Sequence, residues 1–380
     1  MRVFVLGARG FPGVQGGIEK HWQELYPRLV KLGCDITVFT RTPYIPKDKR
    51  ICEWKKVKFI HLWTPRNKSF EAIIHTFLGL LIAAVKRPDV LHIHGIGPSM
   101  LVPLAKLFGL RVVMTHHGSD YQRQKWNKLA KCILKAGEFL GVKFADRIIV
   151  VSKWIKSFLR ERYQRKDLEF IPNGVELQMH SFGREALKQY GLEPKKYLFT
   201  ACRFVPEKGL HDLIDAYRKI KNPKFRLVIA GDADHETDYS RRLKRQAKEW
   251  GIVLTGFVHG KPLQELYSNA GLFVLPSYHE GLSLGLLEAL SYGLPVLVSD
   301  IPQNKEIALR KYRYFKVGDI SDLTGKIEEL MEKAISEEEK NQQIEILKKE
   351  YDWNKIAQRT IEVYKSVTSG SFSPSIVGLI

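Results

Sequence analysis

Beginning at Arg2, short runs rich in β-branched and aromatic residues alternate with longer stretches of helical apolar spacing, and the series restarts in the second half of the chain. In the first half the expected strands are 2–7, 35–40, 57–62, 90–94, 111–116 and 147–151; in the second they are 198–203, 226–231, 272–276 and 295–299. A parallel neighbour needs a crossover long enough to hold a helix, so this alternation predicts parallel sheets with helices on both faces. A series that runs twice predicts two doubly wound α/β domains. The length agrees, because 380 residues exceed what one core usually covers.

The break between the domains is expected at Ile171-Pro172-Asn173-Gly174, where a strand meets a turn-forming tetrapeptide. That gives residues 1–173 and 174–351 as the domains, followed by 352–380 as a C-terminal helix able to cross back to the first domain, plus a tail. Helices are expected over 209–220, 321–336, 337–350 and 352–367, the last with Ile356, Ile361, Val363 and Tyr364 on its apolar face. No repeat of solenoid length is found. The longest apolar run, Phe77 to Val85, is about half of the roughly 20 residues a bilayer span needs, and reads as a buried helix.

Four scattered cysteines, Cys34, Cys52, Cys132 and Cys202, without a C-x-x-C pair, argue against a zinc site or a disulfide framework. The N-terminus lacks the sections of a signal peptide. A cytoplasmic protein is the expectation. Charge is uneven: residues 1–170 carry 31 Lys and Arg against 13 Asp and Glu, whereas residues 171–380 carry 30 against 28. Such a field attracts nucleic acid, anionic lipid or a phosphorylated ligand, and charge alone does not choose among them.

Candidate chemistry sits at the ends of expected strands. After the first comes Gly7-Ala-Arg-Gly10-Phe-Pro-Gly13-Val-Gln-Gly16-Gly17. A turn of this kind can bring backbone N–H groups to a phosphate at a helix N-terminus, although the spacing is not G-x-G-x-x-G. The strand 111–116 ends in His116-His117-Gly118-Ser119-Asp120, at the sheet edge where open α/β folds place ligands. A metal site there would need more ligands than are visible locally. In the second half, Arg203 and Lys208 flank the turn after strand 198–203, a pairing of planar fork and mobile point charge suited to a diphosphate. Further on, Glu280-Gly281-Leu-Ser283-Leu284-Gly285-Leu-Leu-Glu288 places Glu280 in a loop and Glu288 in the second turn of a helix starting near Ser283. Both carboxylates can then accept hydrogen bonds from sugar or ribose hydroxyls in one crevice. The Asp232-Ala-Asp234 triplet, beside His235 and Glu236, reads as a solvated loop, since two aspartates without a further ligand make a weak cation site.

Together these segments resemble the retaining family 4 glycosyltransferases, over nearly the whole chain. The most specific element is the stretch from Glu280 to Glu288, supported by the Arg203 to Gly209 turn, the Gly16-Gly17 turn and the Ile-Pro-Asn-Gly-Val run from Ile171. The resemblance implies the GT-B fold, two Rossmann-like domains facing a cleft, and transfer from a nucleotide diphosphate sugar without a metal or other cofactor. It implies that Arg203 and Lys208 hold the donor diphosphate, that Glu288 binds the ribose and that Glu280 contacts the donor sugar. Gly16 and Gly17 would approach the phosphates, with Gly281, Ser283 and Leu284 completing the donor site. His117 matches the N-domain histidine near the reacting centre; His116 is the alternative, and with Asp120 is placed on the acceptor side. The segment GARGFPGVQGGIEKH is also similar to a subgroup rich in bacterial rhamnosyltransferases.

The expected acceptor is a glycan or a polyprenyl-diphosphate-linked sugar, in surface polysaccharide assembly. The basic first half, with 125–143 combining Trp126, Leu129, Ile133, Leu134 and Leu140 with lysines, suits peripheral contact with an anionic membrane on its cytoplasmic face; core packing with a solvated basic face is the other reading. Three rivals stand beside the transferase: a nucleotide-sugar epimerase of the same fold, a degenerate sugar-nucleotide binder, and a basic nucleic-acid module. No nucleic-acid motif accompanies the charge, so nucleic acid is not the expected partner.

Overall fold

A computed structural model describes residues 1–65, 71–122, 128–178, 183–221 and 223–369. Lys125 and Trp126 of the expected interfacial stretch, and the tail from residue 370, lie outside these.

Two sheets are present, as the doubled alternation predicts. The first comprises β1 (Arg2–Leu6), β2 (Asp35–Arg41), β3 (Glu53–Trp54), β4 (Val57–Leu62), β5 (Val90–His94), β6 (Val112–His116), β7 (Arg147–Val150) and β8 (Leu168–Phe170), in the order β3-β4-β2-β1-β5-β6-β7-β8. All pairings are parallel except β3 with β4, a short antiparallel edge. The second comprises β9 (Tyr197–Ala201), β10 (Arg226–Ala230), β11 (Val253–Gly256), β12 (Leu272–Leu275), β13 (Val296–Ser299) and β14 (Tyr314–Phe315), all parallel, in the order β11-β10-β9-β12-β13-β14. The strand order reverses between β1 and β5 in one sheet and between β9 and β12 in the other. Ligands of open α/β sheets bind at these reversals, outside the carboxyl ends of the strands.

The helix Gly17–Lys31 shows how the layers form. Trp22, Leu25, Tyr26 and Leu29 recur at helical spacing and are fully buried against Val3, Val5, Ile36 and Val38. Burying each such side chain contributes about 1.5–3 kcal/mol. The C-terminal helix, Trp353–Thr368, packs beside it and adds Trp353, Ile356, Ile361 and Tyr364 to the same cluster. This C-terminal helix thus covers the first sheet.

The apolar run from Phe77 lies in the helix Glu71–Lys86, but it is not a buried helix. Gly79, Leu80 and Ala83 face the core, whereas Phe77 and Leu81 are exposed and Val85 is 81% exposed. Composition cannot reveal that two faces of one helix are apolar for different reasons. The four cysteines are free. Among the described residues, no helix is long and apolar enough to cross a membrane.

Candidate active site

Both strand-order reversals open onto one cleft of about 1610 Å³ between the sheets. From the first sheet, the loop after β1 carries Arg9, whose guanidinium holds Glu19 at 2.9 Å and reaches across to Asp234 at 2.8 Å. Gly16 precedes the helix Gly17–Lys31 with φ +152°, and a Cβ there would overlap the Glu19 carboxylate and the Arg9 guanidinium. Only glycine fits this approach. Gly17 also lines the cleft, with open space where a Cβ would stand, at the helix end whose dipole favours an anion.

The second sheet supplies the facing wall. Arg203 follows β9 and binds Asp234 Oδ2 at 3.0 Å. Lys208 ends the turn Pro206–Lys208, and its ammonium lies 2.6 Å from Glu280 Oε1, in the loop after β12. Burial alone would push the Glu280 carboxyl up, but the Lys208 charge and hydrogen bond outweigh it and hold it below the usual carboxylate range. Ser283 caps the helix Leu284–Ser291 by accepting from the Leu286 amide, which leaves Glu288 in the second turn. There Glu288 accepts a hydrogen bond from the Tyr267 hydroxyl at 3.1 Å. Burial pushes its carboxyl up, and Lys20 from the opposite domain offsets only part of that shift. Gly281, Ser283 and Leu284 line the same wall.

The Asp232-Ala-Asp234 triplet is not a solvated loop, contrary to its sequence reading. Asp234 is mostly buried between Arg9 and Arg203, while Asp232 pairs with Lys244 at 2.8 Å and accepts at its backbone carbonyl from Gln15. Sequence reasoning lacked Arg9 as a partner because it is more than 200 positions away.

The two consecutive histidines part ways, as neighbours on a strand end do. His116 is fully buried with its Nε2 2.9 Å from Glu138, a carboxylate that also accepts from Ser119, Tyr121 and Tyr163. It does not line the cleft, which corrects its placement on the acceptor side; His117 and Asp120 do line it. Burial first, and then the neighbouring imidazoles, hold His117 well below the ordinary histidine range.

His21, His94 and His117 bring ring nitrogens within 4.8 Å of one another. The His94 Nδ1 and His117 Nε2 atoms are 2.9 Å apart, with ring centroids 5.2 Å apart. That gap and the two ring radii make up the whole centroid separation, so the nitrogens point directly at each other. A tetrahedral ion about 2.0–2.1 Å from each would hold them about 3.3 Å apart and would lie off the line joining them, whereas these nitrogens face each other along that line. The arrangement is that of a hydrogen bond.

Further residues escaped the sequence reading. Asn173, in the expected boundary turn, is buried, donates to Leu282 O and contacts His21 Nδ1 at 3.0 Å, so it ties the domains together beside the site. His94 had a visible signal, since His92-Ile-His94 puts two imidazoles on one side of β5 at its carboxyl end.

A family model described as Glycosyltransferase Family 4 matches residues 15–179, and one described as Glycosyl transferases group 1 matches residues 184–350. The chain belongs to the family 4 glycosyltransferases. An uncharacterised glycosyltransferase of Methanocaldococcus jannaschii is 26% identical over 93% of this chain and 95% of its own length. The UDP-Gal:alpha-D-GlcNAc-diphosphoundecaprenol alpha-1,3-galactosyltransferase of Escherichia coli is 29% identical over 64% of this chain and 65% of its own. Among solved structures, sucrose-phosphate synthase from Thermosynechococcus elongatus superposes with a TM-score of 0.83 at 22% identity, covering 97% of this glycosyltransferase and all of that chain. Its fold is therefore that of GT-B glycosyltransferases. The cations Arg203 and Lys208 of this glycosyltransferase face the Gly16-Gly17 helix start across the cleft, an arrangement able to hold an anion between two domains.

Proposed function

We propose that this protein transfers a hexose, with retention, from a nucleotide diphosphate sugar to a lipid-linked glycan acceptor, without a metal ion. The observation that carries the reading is the set of cations at the cleft, Lys208 and Arg203, each neutralised by a carboxylate that a diphosphate can replace. Their charge stabilises the leaving nucleotide diphosphate as the glycosidic bond breaks, the role a divalent ion would otherwise fill. Glu280, released from Lys208, accepts from a donor-sugar hydroxyl, and Glu288 from the ribose. The acceptor attacks from the face that the diphosphate leaves.

The acceptor enters from the first domain. Ala130, Ile133 and Leu134 give that side of the cleft an apolar wall. On the same domain, which carries a large excess of Lys and Arg, Phe77, Leu81, Val85, Leu107, Leu129 and Phe139 are exposed. Apolar side chains among cations suit the cytoplasmic surface of an anionic membrane, where a polyprenyl-diphosphate-linked sugar is presented for surface polysaccharide assembly. The E. coli relative, named for a diphosphoundecaprenol acceptor and a UDP-Gal donor, supports this choice.

The test is a thermal-shift and donor-hydrolysis screen over UDP, GDP and dTDP sugars with EDTA throughout, followed by transfer to short-chain polyprenyl-diphosphate sugars. Stabilisation by one nucleotide class, with acceptor-dependent product, is expected. Rearranged donor without acceptor would make it an epimerase. Activity lost in EDTA and restored by a divalent ion would overturn the metal-free mechanism.

A further inference from the structure

A line of buried polar side chains leads inward from His117. Its Nε2 meets His94 Nδ1 at 2.9 Å, and His94 Nε2 meets the Tyr26 hydroxyl at 2.5 Å. Tyr26 lies 3.3 Å from His92 Nδ1, which the Tyr364 hydroxyl approaches to 2.6 Å. His92 Nε2 ends the line at the Thr115 hydroxyl, 2.7 Å away. Tyr26, His92, His94, Thr115 and Tyr364 are all buried, and come from the helix Gly17–Lys31, β5, β6 and the C-terminal helix. Only His94 and His117 line the cleft.

A neutral imidazole has one N–H and one bare nitrogen, so each ring passes on a direction. If His94 Nδ1 carries hydrogen, His117 Nε2 accepts and the His117 proton sits on Nδ1. If His117 Nε2 donates instead, its Nδ1 is a bare acceptor and His94 must donate to Tyr26. Tyr364 is the nearer partner of His92 Nδ1, at 2.6 Å against 3.3 Å for Tyr26, and whichever of the two carries the hydrogen it occupies that nitrogen; the Tyr26 hydroxyl is then left to donate to His94 Nε2, which makes His94 Nδ1 the donor to His117.

We infer that Tyr26, His94 and Tyr364 are positioning residues whose hydrogen-bond chain fixes the tautomer of His117, making it a neutral hydrogen-bond partner for a substrate hydroxyl in the cleft. The substrate's part in this rests on the transferase reading above; the tautomer itself does not. The helix Trp353–Thr368 thereby contributes to the site through Tyr364, which does not line the cleft.

The experiment is two-bond 1H–15N correlation spectroscopy of histidine-labelled full-length protein, with His117 assigned from a His117→Gln spectrum. In the wild type His117 is expected as a single neutral tautomer, unchanged by EDTA. Tyr26→Phe and Tyr364→Phe keep the ring volume and are expected to give mixed tautomers at His117. In transfer assays they should lower kcat about tenfold or more with the donor KM little changed. Wild-type tautomer at His117 in both folded variants would overturn the inference even if kcat falls, and a spectrum altered by EDTA would replace it with a metal-ligand set. If one variant fails to fold, the other, on a different helix, decides. Absence of transferase activity would count against the proposed reaction and leave the spectroscopic result standing.

Discussion

The ammonium of Lys208 and the carboxylate of Glu280 lie 2.6 Å apart, with side chains only 17% and 8% exposed. Each neutralises the other where water is scarce. Removing one partner strands a buried charge, which costs about 3–5 kcal/mol, whereas removing both does not. Glu280→Ala and Lys208→Ala should each nearly abolish transfer and lower Tm, and the double variant should melt above the sum of the two losses. Additive losses in a double-mutant cycle would mean the ions are not coupled.

Acid stability follows from the same contacts. Burial raises the Glu19, Asp234 and Glu280 carboxyls, but the cations beside them win and all three end below their ordinary values. A lowered acid contributes stability that is fully present above the unfolded pKa, about 4, and is lost as pH falls through the folded value. Denaturation midpoints should begin to fall below about pH 6.5, where the unfolded chain's histidines take up protons and the buried His21, His92, His94 and His117, all held low by burial, do not, and should drop further below about pH 4 as these carboxyls protonate. Glu280→Gln should start lower and lose less on acidification.

Glu288 has the opposite sign. Its carboxyl is raised by burial, so its ionisation costs stability as pH rises through that shifted value. Glu288→Gln keeps an acceptor for the Tyr267 hydroxyl and removes the charge. It should melt no lower than the wild type at pH 8 yet bind nucleotide diphosphate sugars about tenfold more weakly by calorimetry. A lower Tm with unaltered affinity would contradict both halves.

Asp234 occupies Arg9 and Arg203 at once. Asp234→Asn should leave both cations open to a diphosphate, tightening UDP or GDP binding and steepening its salt dependence while lowering Tm without ligand. Titration calorimetry at two ionic strengths checks this, and weaker binding at low salt would contradict it.

Gly281 touches the opposite domain, where a Cβ would overlap the His117 carbonyl. Gly281→Ala should force the domains apart and reduce kcat/KM about a hundredfold, since small misplacements of reacting groups are costly. Small-angle scattering should show the wider cleft.

The sheet centres were legible because their strands are long apolar runs with turns on either side. Glu53–Trp54 and Tyr314–Phe315 were not, because two residues hold no periodicity. In the site, each cationic turn and glutamate could be read locally at a strand end. Pairings could not: Arg9 with Asp234, or Asn173 with Leu282, join residues that only the packed domains bring together. Alternation on β6 says that His116 and His117 part, but which of them enters the cleft depends on Glu138, in the helix Lys128–Phe144 that follows β6.

The chain passes between the domains twice, and the passes run side by side: the Val175 amide donates to Tyr351 O at 2.8 Å and Val175 pairs with Asp352 in a parallel bridge. Two joined ribbons behave as a door hung on two pins. They swing about one line and resist twist, so relative motion is reduced to nearly a single degree of freedom. Asn173 stands in one of those ribbons and holds Leu282, the neighbour of Gly281. The His117 end of the cleft therefore lies by the pivot and keeps its alignment, while the Arg9 and Asp234 end takes up the travel.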